Sequence, residues 1–454
     1  MMRAFTLSEL EKPLQARLSG ADTTITRVST DSRAIGPGDL FVALEGEHFD
    51  GHDFLEVVAA AGAAAAVVSR PVKTSLPVLQ VADTQRALGY LGAYNRSLYQ
   101  GQLVAITGSN GKTTVKGLVS AILARRGPTL ATEGNLNNEI GVPLTLLQLA
   151  PEHAFAVVEM GAAGPGHIAW LCELARPDVA LLLNAMPAHL QGFGSLEGVA
   201  AGKGEIYEGL AGAGTAIINA DQPWAARWRS RAGTAAMLDY GLEHPAAISA
   251  NTIQSRGVAG ISFIASTPAG DAPIRLQLPG RHNVANALAA IAAGLACGLT
   301  LAEITAGLAS VQPQPGRGAL HRGLAGATVV DDTYNANPGS VHAAIDLLAS
   351  CQGRRTLILG AMLELGADSE SLHEAAGRYA RERGIERFCG VGPELAGAVA
   401  AFGHGEWYAD CGAAIAALAD SFDERDTVLI KGSRGAAMER VLAALVQQQK
   451  EARS

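Results

Sequence analysis

The run ITGSNGKTT, residues 106–114, collects residue types that together bind phosphate. The apolar residues leading into Ile106 predict a strand, Gly108 and Gly111 a turn, and the segment from Lys112 a helix. In such a turn the backbone N–H groups of Thr107, Gly108, Ser109, Asn110 and Gly111 converge on phosphate oxygens. The helix N-terminus at Lys112, Thr113 and Thr114 adds positive potential. Lys112 then reaches the β/γ-phosphates of a nucleotide, and the Thr113 hydroxyl holds Mg2+. The pattern G-x-x-x-x-G-K-[ST] is not met in full, because Ile106 stands at its first glycine. A glycine turn without a ligand is the competing reading. Strand, turn, Gly-Lys-Thr and helix coinciding weigh against it.

Other candidates are weaker taken singly. AFAVVEMG puts Glu159 at the end of a hydrophobic strand, at the crevice edge of a parallel sheet where a second Mg2+ ligand belongs. Without the phosphate turn it would read as an ordinary strand-end glutamate. His189 lies on a Pro/Gly-rich loop and Lys203 follows in AGKGEIYEG; alone, each reads as a solvated surface residue. In VVDDTYNANPGS, Asp331 and Asp332 end a strand and suit ribose hydroxyls, while Arg317 in PGRG suits a phosphate. Asp332 and Asn337 could equally cap turns and a helix. Lys431 and Arg434, on a glycine turn before a helix, form either an anion site or a solvated basic turn.

The chain that must position these residues has 454 of them, enough for roughly three domains at ~150 residues each. A net charge of −8 argues against a nucleic-acid or anionic-membrane partner, since neither would attract the chain at long range. Five scattered cysteines without a CxxC pair predict reduced thiols in a reducing compartment. Glu9 and Glu11 stand where a signal peptide needs an apolar run. The uncharged stretch Asn283 to Ala302 is mainly alanine, which predicts a buried helix and no membrane insertion. A soluble cytoplasmic monomer is expected.

Three α/β blocks are predicted. Residues 1–100 hold short strands and an alanine-rich helix from Phe54 to Ala66. Residues 101–312 alternate apolar strands with helices, the mark of a mostly parallel sheet covered on both faces. A Pro/Gly hinge, VQPQPGRG, leads into residues 313–454, which read as a Rossmann-like unit.

In chain order, STDSRAIGPGDLFVALEGEHFDGHDF, TGSNGKTT, GNLNNEIGVPLTLL, VVEMGA, NAMPAHL, KGEI, LPGRHNVANALAA, PGRG, DDTYNANPGS and KGSRGAAME resemble the motifs of the Mur ligase family. These are the ATP-dependent amide-forming enzymes of peptidoglycan precursor synthesis. The resemblance covers nearly the whole chain and is nearest to the branch that joins D-Ala-D-Ala to UDP-N-acetylmuramoyl-tripeptide. It implies a small N-terminal UDP-sugar-binding domain, a central P-loop ATPase-like domain and a C-terminal Rossmann-like ligase domain.

The resemblance further implies that Lys112 binds the γ-phosphate of ATP, that Thr113 and Glu159 hold one Mg2+, and that His189 helps to hold a second. Lys203 matches the lysine that the family carbamylates with CO2, which turns a cation that repels metal into an anion that binds it. Asn283 and Asn286 lie on the nucleotide side, Asn286 being the preferred adenine contact, and Arg317 and Asp332 reach ATP from the third domain. Ser32, Arg33, Glu47, His48 and Phe49 match the region that grips the UDP-sugar, and Asn137 and Asn138 a loop facing the same substrate. Tyr334, Asn337, Lys431 and Arg434 fall on the substrate side of the C-terminal block. One departure is Ala361, where the family usually carries an acidic residue; Glu364 nearby is the candidate to compensate. The rival readings are the relative that adds the third peptide residue, whose D-N-P-R run is absent here, and a nucleotide-binding scaffold without catalysis.

Overall fold

The computed structural model describes residues 2–46, 48–187, 190–210 and 214–446. Glu47 and His189 therefore lie outside the described residues.

The N-terminal sheet contains β1 (Arg17–Ser19), β2 (Arg27–Ser29), β3 (Asp39–Val42), β4 (Ala65–Val68) and β5 (Val78–Gln80), in the order β1-β5-β4-β3-β2. Only β1 runs antiparallel to its neighbour. The alanine-rich helix expected from Phe54 to Ala66 is shorter, Leu55–Ala60, and β4 begins at Ala65. Gly62, at φ +94°, takes the left-handed turn between them, which a side chain would resist.

Helix α1 (Thr84–Leu98) leaves this domain and enters the next. Its Ala87, Leu88 and Leu91 pack in the N-terminal core, while Tyr90 and Ala93 pack in the central one. The amide of Asn95 donates to the carbonyls of Leu146 (2.8 Å) and Leu149 (3.0 Å), and Tyr94 donates to Glu9 (2.9 Å) on the other side.

The central sheet is wholly parallel. Its strands are β6 (Gln102–Thr107), β7 (Thr129–Ala131), β8 (Phe155–Glu159), β9 (Val179–Leu182), β10 (Thr215–Asn219) and β11 (Ala236–Tyr240), in the order β11-β10-β9-β6-β8-β7. Helices α2 (Lys112–Leu123) and α3 (Leu196–Glu208) follow β6 and β9 in sequence and lie in different cores, one on each face of the sheet. Both faces are buried, which is why these strands are apolar throughout rather than alternating. An antiparallel hairpin set, β12 (Ser249–Ser255), β13 (Ile261–Thr267) and β14 (Gly270–Leu276), precedes α4 (Arg281–Ala296). Helix α4 carries most of the uncharged stretch and is buried in the central core. Among the described residues, no helix is long and apolar enough to cross a membrane.

The C-terminal sheet has strands β15 (Ala319–Arg322), β16 (Thr328–Asp332), β17 (Arg354–Gly360), β18 (Arg387–Val391), β19 (Glu406–Tyr408) and β20 (Asp426–Lys431), ordered β15-β16-β20-β17-β18-β19. Five strands are parallel; the edge strand β15 is antiparallel, so the Rossmann-like unit carries a mixed sheet. Helix α5 (Pro338–Ala349) follows β16. All five cysteines are free thiols, and all but Cys351 are buried.

Candidate active site

Strand register assembles the first part of the site. Glu159 pairs with Ile106 across β8 and β6, and Thr107 with Leu182 across β6 and β9. The phosphate turn therefore emerges at the sheet's carboxyl edge, between Glu159 and the segment after β9. Gly111 holds φ +82°, and a Cβ there would come within 2.7 Å of Asn286 Oδ1. Only glycine satisfies both demands. Asn286 thus backs the turn, held by a 2.9 Å bond to Asn283, whose own amide donates to the Pro279 carbonyl (2.7 Å).

Several turn residues spend their side chains on holding the loop. Thr107 Oγ1 donates to the Met160 carbonyl (2.8 Å), and Ser109 Oγ donates to the Met186 carbonyl (3.1 Å) while accepting from Met186 N–H (2.9 Å). Asn184 accepts from Asn110 N–H (2.9 Å) and donates back to its carbonyl (3.1 Å). Sequence reasoning missed this clamp by Asn184 and Met186. The residues follow a strand, as Glu159 ends one, and that position was the available signal.

Lys112 is half-buried, its Nζ 2.7 Å from the Gly108 carbonyl and 3.5 Å from that of Ser109. Burial lowers the pKa of its amine, with Arg317 adding to the effect and Glu159 opposing it. Thr113 donates from Oγ1 to Glu159 Oε2 (3.1 Å), and Asn137 donates to Glu159 Oε1 (2.8 Å). Glu159 is only 2% exposed. Lys116, one helical turn after Lys112, brings its Nζ within 3.4 Å of Glu159 Oε2 and donates to the Gly134 carbonyl (3.0 Å). Sequence reading passed over Lys116; its i+4 spacing from Lys112 along α2 was the signal. Thr114 lies in the same first helical turn. A hydroxyl beside a buried carboxylate is the all-oxygen donor set that a hard cation such as Mg2+ takes up, so Thr113 and Glu159 fit that ion.

Lys203 projects from α3 and is 1% exposed, with Nζ 5.8 Å from the centre of the Phe193 ring. Burial, with help from the nearby Lys112 charge, pushes its amine down to about 7. At neutral pH a large share is then the free base, the form that reacts with an electrophile.

The C-terminal domain closes over the turn. Asn337 caps α5 and exchanges two side-chain hydrogen bonds with Asn110, one of them 3.1 Å long. Two guanidinium groups approach the Tyr334 ring, Arg317 at 4.0 Å and Arg434 at 5.9 Å from its centre. Asp332 and Lys431 bond each other at 2.6 Å, and Lys431 also donates to the Asn335 carbonyl (2.9 Å). Both functional ends are thus committed within the fold. Between the domains lies a cavity of about 490 Å³ whose lining includes Ser109, Lys112, Tyr334, Asn337, Glu364 and Arg434. Ala361 is buried in the C-terminal core, and Glu364, at φ +63°, lies on the cavity wall instead.

Outside the lining of this cavity, the N-terminal domain presents Ser32 and Arg33 on a short helical turn, Arg33 forked onto Asp31 at 2.8 and 2.9 Å. His48 and Phe49 are exposed. Nearby, Glu45, Asp50 and His52 cluster, but both nitrogens of His52 are engaged, Nδ1 by Asp50 (2.6 Å) and Nε2 by the Ser69 N–H (2.9 Å). Asn138 turns its oxygen to the Gly141 N–H (2.9 Å), so it caps its own loop.

This frame and turn define a nucleotide-using ligase class, and comparison with known families gives it a name. Models of the Mur ligase family, catalytic domain (residues 24–93), the Mur ligase middle domain (106–294) and the Mur ligase, glutamate ligase domain (316–434) match in succession. The chain belongs to the Mur ligase family. It is 47% identical over 448 residues to the UDP-N-acetylmuramoyl-tripeptide–D-alanyl-D-alanine ligase of Escherichia coli strain K12, covering 98% of this chain and 99% of that one. A crystal structure of MurF from Acinetobacter baumannii superposes with TM-score 0.93 at 36% identity, covering 97% and 98% of the two chains. MurF ligase from Thermotoga maritima in complex with ADP gives 0.83 at 28% identity, covering 92% and 96%.

Proposed function

We propose that this chain is an ATP-dependent ligase that joins D-Ala-D-Ala to UDP-N-acetylmuramoyl-tripeptide in peptidoglycan synthesis. The reading rests on one observation above the rest. Lys112 and Glu159, from two different elements, flank a turn that the C-terminal domain covers, and the buried Lys203 from a third lies near enough to feel the Lys112 charge. The near-complete coverage of the Escherichia coli enzyme supports the same substrates.

A carboxylate accepts an amine poorly because its leaving group would be oxide. Transfer of the γ-phosphoryl group from ATP to the terminal carboxylate of the tripeptide releases ADP and makes an acyl phosphate. The D-Ala-D-Ala amine then attacks the acyl carbon, phosphate leaves, and the amine's proton passes to solvent. The turn's N–H groups and Lys112 hold the transferring phosphoryl group, opposing the repulsion between two anionic substrates. Thr113 and Glu159 hold Mg2+, with His189 assigned to a second ion, and the metal supplies charge neutralisation at the phosphates. Lys203, as free amine, would add to the carbon of CO2 and lose a proton, giving an anionic carbamate in place of a cation. Arg317, steadied on Tyr334, reaches the nucleotide from the third domain, and Arg434, near the same ring, reaches substrate. Asn286 and Asn283 back the turn on the adenine side, while Ser32, Arg33, Glu47, His48 and Phe49 grip the UDP-sugar. Closure of the C-terminal domain keeps water from the acyl phosphate. The chain works as a cytoplasmic monomer.

The test is phosphate release with ATP and Mg2+, omitting one co-substrate at a time, with mass spectrometry of the nucleotide product. Release that needs both co-substrates and yields a UDP-linked pentapeptide is expected. Release that needs a single amino acid instead of the dipeptide would refute the assignment.

A further inference from the structure

We propose that Lys116 is an internal counter-ion that holds Glu159 before nucleotide arrives and gives it up to the divalent cation. The proposal rests on the reading of Glu159 as a metal-holding carboxylate. Lys116 lies on the buried side of α2, one turn beyond Lys112, and is 6% exposed. Its Nζ has two partners, Glu159 Oε2 at 3.4 Å and the Gly134 carbonyl at 3.0 Å. The contact with Glu159 is longer and shares its oxygen with the Thr113 hydroxyl at 3.1 Å. The remaining oxygen, Oε1, accepts from Asn137 at 2.8 Å. A carboxylate 2% exposed cannot stay charged away from water without such partners, and Lys116 supplies the full positive charge among them.

Two cations cannot share one carboxylate oxygen without repelling each other. When a divalent ion takes Oε2, Lys116 keeps the Gly134 carbonyl as its resting place and yields the carboxylate. Lys116 therefore sets how tightly the ion binds, by competing with it, and orients Glu159 in the meantime. It is a positioning residue and touches neither substrate. The same side chain ties Glu159 to the 134–138 loop, since Gly134 and Asn137 both belong to that loop. Ion affinity and loop position are thereby linked, and the linkage is reciprocal.

The experiment is a Mn2+ titration of the full-length protein with ADP, reading free Mn2+ by electron paramagnetic resonance. Lys116→Gln and Lys116→Met are expected to bind Mn2+ at least threefold more tightly than the parent, while Lys116→Arg, which keeps the charge, binds as the parent does. Lys116→Gln keeps a donor for the Gly134 carbonyl and carries the test if Lys116→Met does not fold. Unchanged or weaker Mn2+ binding in the neutral variants, with Glu159→Gln binding more weakly than the parent, would overturn the role of Lys116 alone. Unchanged Mn2+ binding in Glu159→Gln would overturn both the role and the reading beneath it.

Discussion

Replacing Lys203 by Met should make the protein more stable while abolishing its ligase activity. The amine is 1% exposed, and burial pushes it from an ordinary 10.5 down to about 7. The unfolded chain therefore binds this proton up to about pH 10.5, and the folded chain releases it above about 7. Between those values the unfolded state holds more protons, so this group's contribution to stability rises with pH. Below about pH 7 both states are protonated and the penalty is constant at about 5 kcal/mol, 3.5 units at about 1.4 kcal/mol each. At pH 8 about 3 kcal/mol remains, and by pH 9.5 only about 1.5 kcal/mol. Methionine keeps the apolar stem against Phe193 and carries no charge to desolvate, so its gain follows the same curve. At roughly 2–4 °C per kcal/mol, the Tm at pH 8 should rise by roughly 6–12 °C. The assay is differential scanning calorimetry in CO2-depleted buffer at pH 6, 8 and 9.5. A Met variant no more stable than the parent at pH 6, or a gain that grows with pH, would refute this account of the buried amine.

Three further outcomes are expected. Asn337→Ala and Asn110→Ala each remove the paired hydrogen bonds between domains, at about 0.5–1.5 kcal/mol per bond, so the KM for ATP should rise roughly tenfold in both. Only Asn337→Ala also removes the cap of α5 and should lower Tm; equal Tm losses would show that the cap contributes nothing. Tyr334→Leu removes the face on which Arg317 rests and should weaken ADP binding about fivefold by calorimetry, while Tyr334→Phe leaves it unchanged. Carbamate formation needs the free amine, so 13CO2 incorporation at Lys203, followed by NMR, should fall about tenfold per pH unit below about 7. A flat profile between pH 5 and 7 would place the reacting amine elsewhere.

The phosphate turn was legible in the sequence because strand, turn and helix are contiguous, so local types alone define it. Glu159 was legible for a related reason, as it ends a strand that must lie beside β6. The partnership of Asn110 with Asn337 was not, since the two are 227 positions apart and nothing local to either names the other. Asn137, Asn138, Asp332 and Lys431 show the opposite difficulty. Their types suit ligands, yet their polar ends bond to other parts of the chain. The antiparallel edge strand escaped notice because its exposed sequence, ALHR, has no apolar face to betray it. Lys203 in isolation reads as a surface lysine, and only its placement inside the packing of α3 reveals a buried base.

Helix α1 has a consequence for how the chain can be divided. Its residues close two hydrophobic cores at once, with Leu88 and Leu91 in one and Tyr90 and Ala93 in the other. A fragment beginning at Gly101 would strip the central core of that lining and free the carbonyls that Asn95 satisfies. A fragment ending before Thr84 would open the other core. The first two domains are therefore not interchangeable cassettes: a chimera that swaps the N-terminal domain must carry the helix and its central-domain contacts with it. The junction further on, in the Pro/Gly-rich segment around residues 312–318, is bridged by Val258, which packs against the C-terminal core, and by the Asn110–Asn337 pair, so a graft there must keep both.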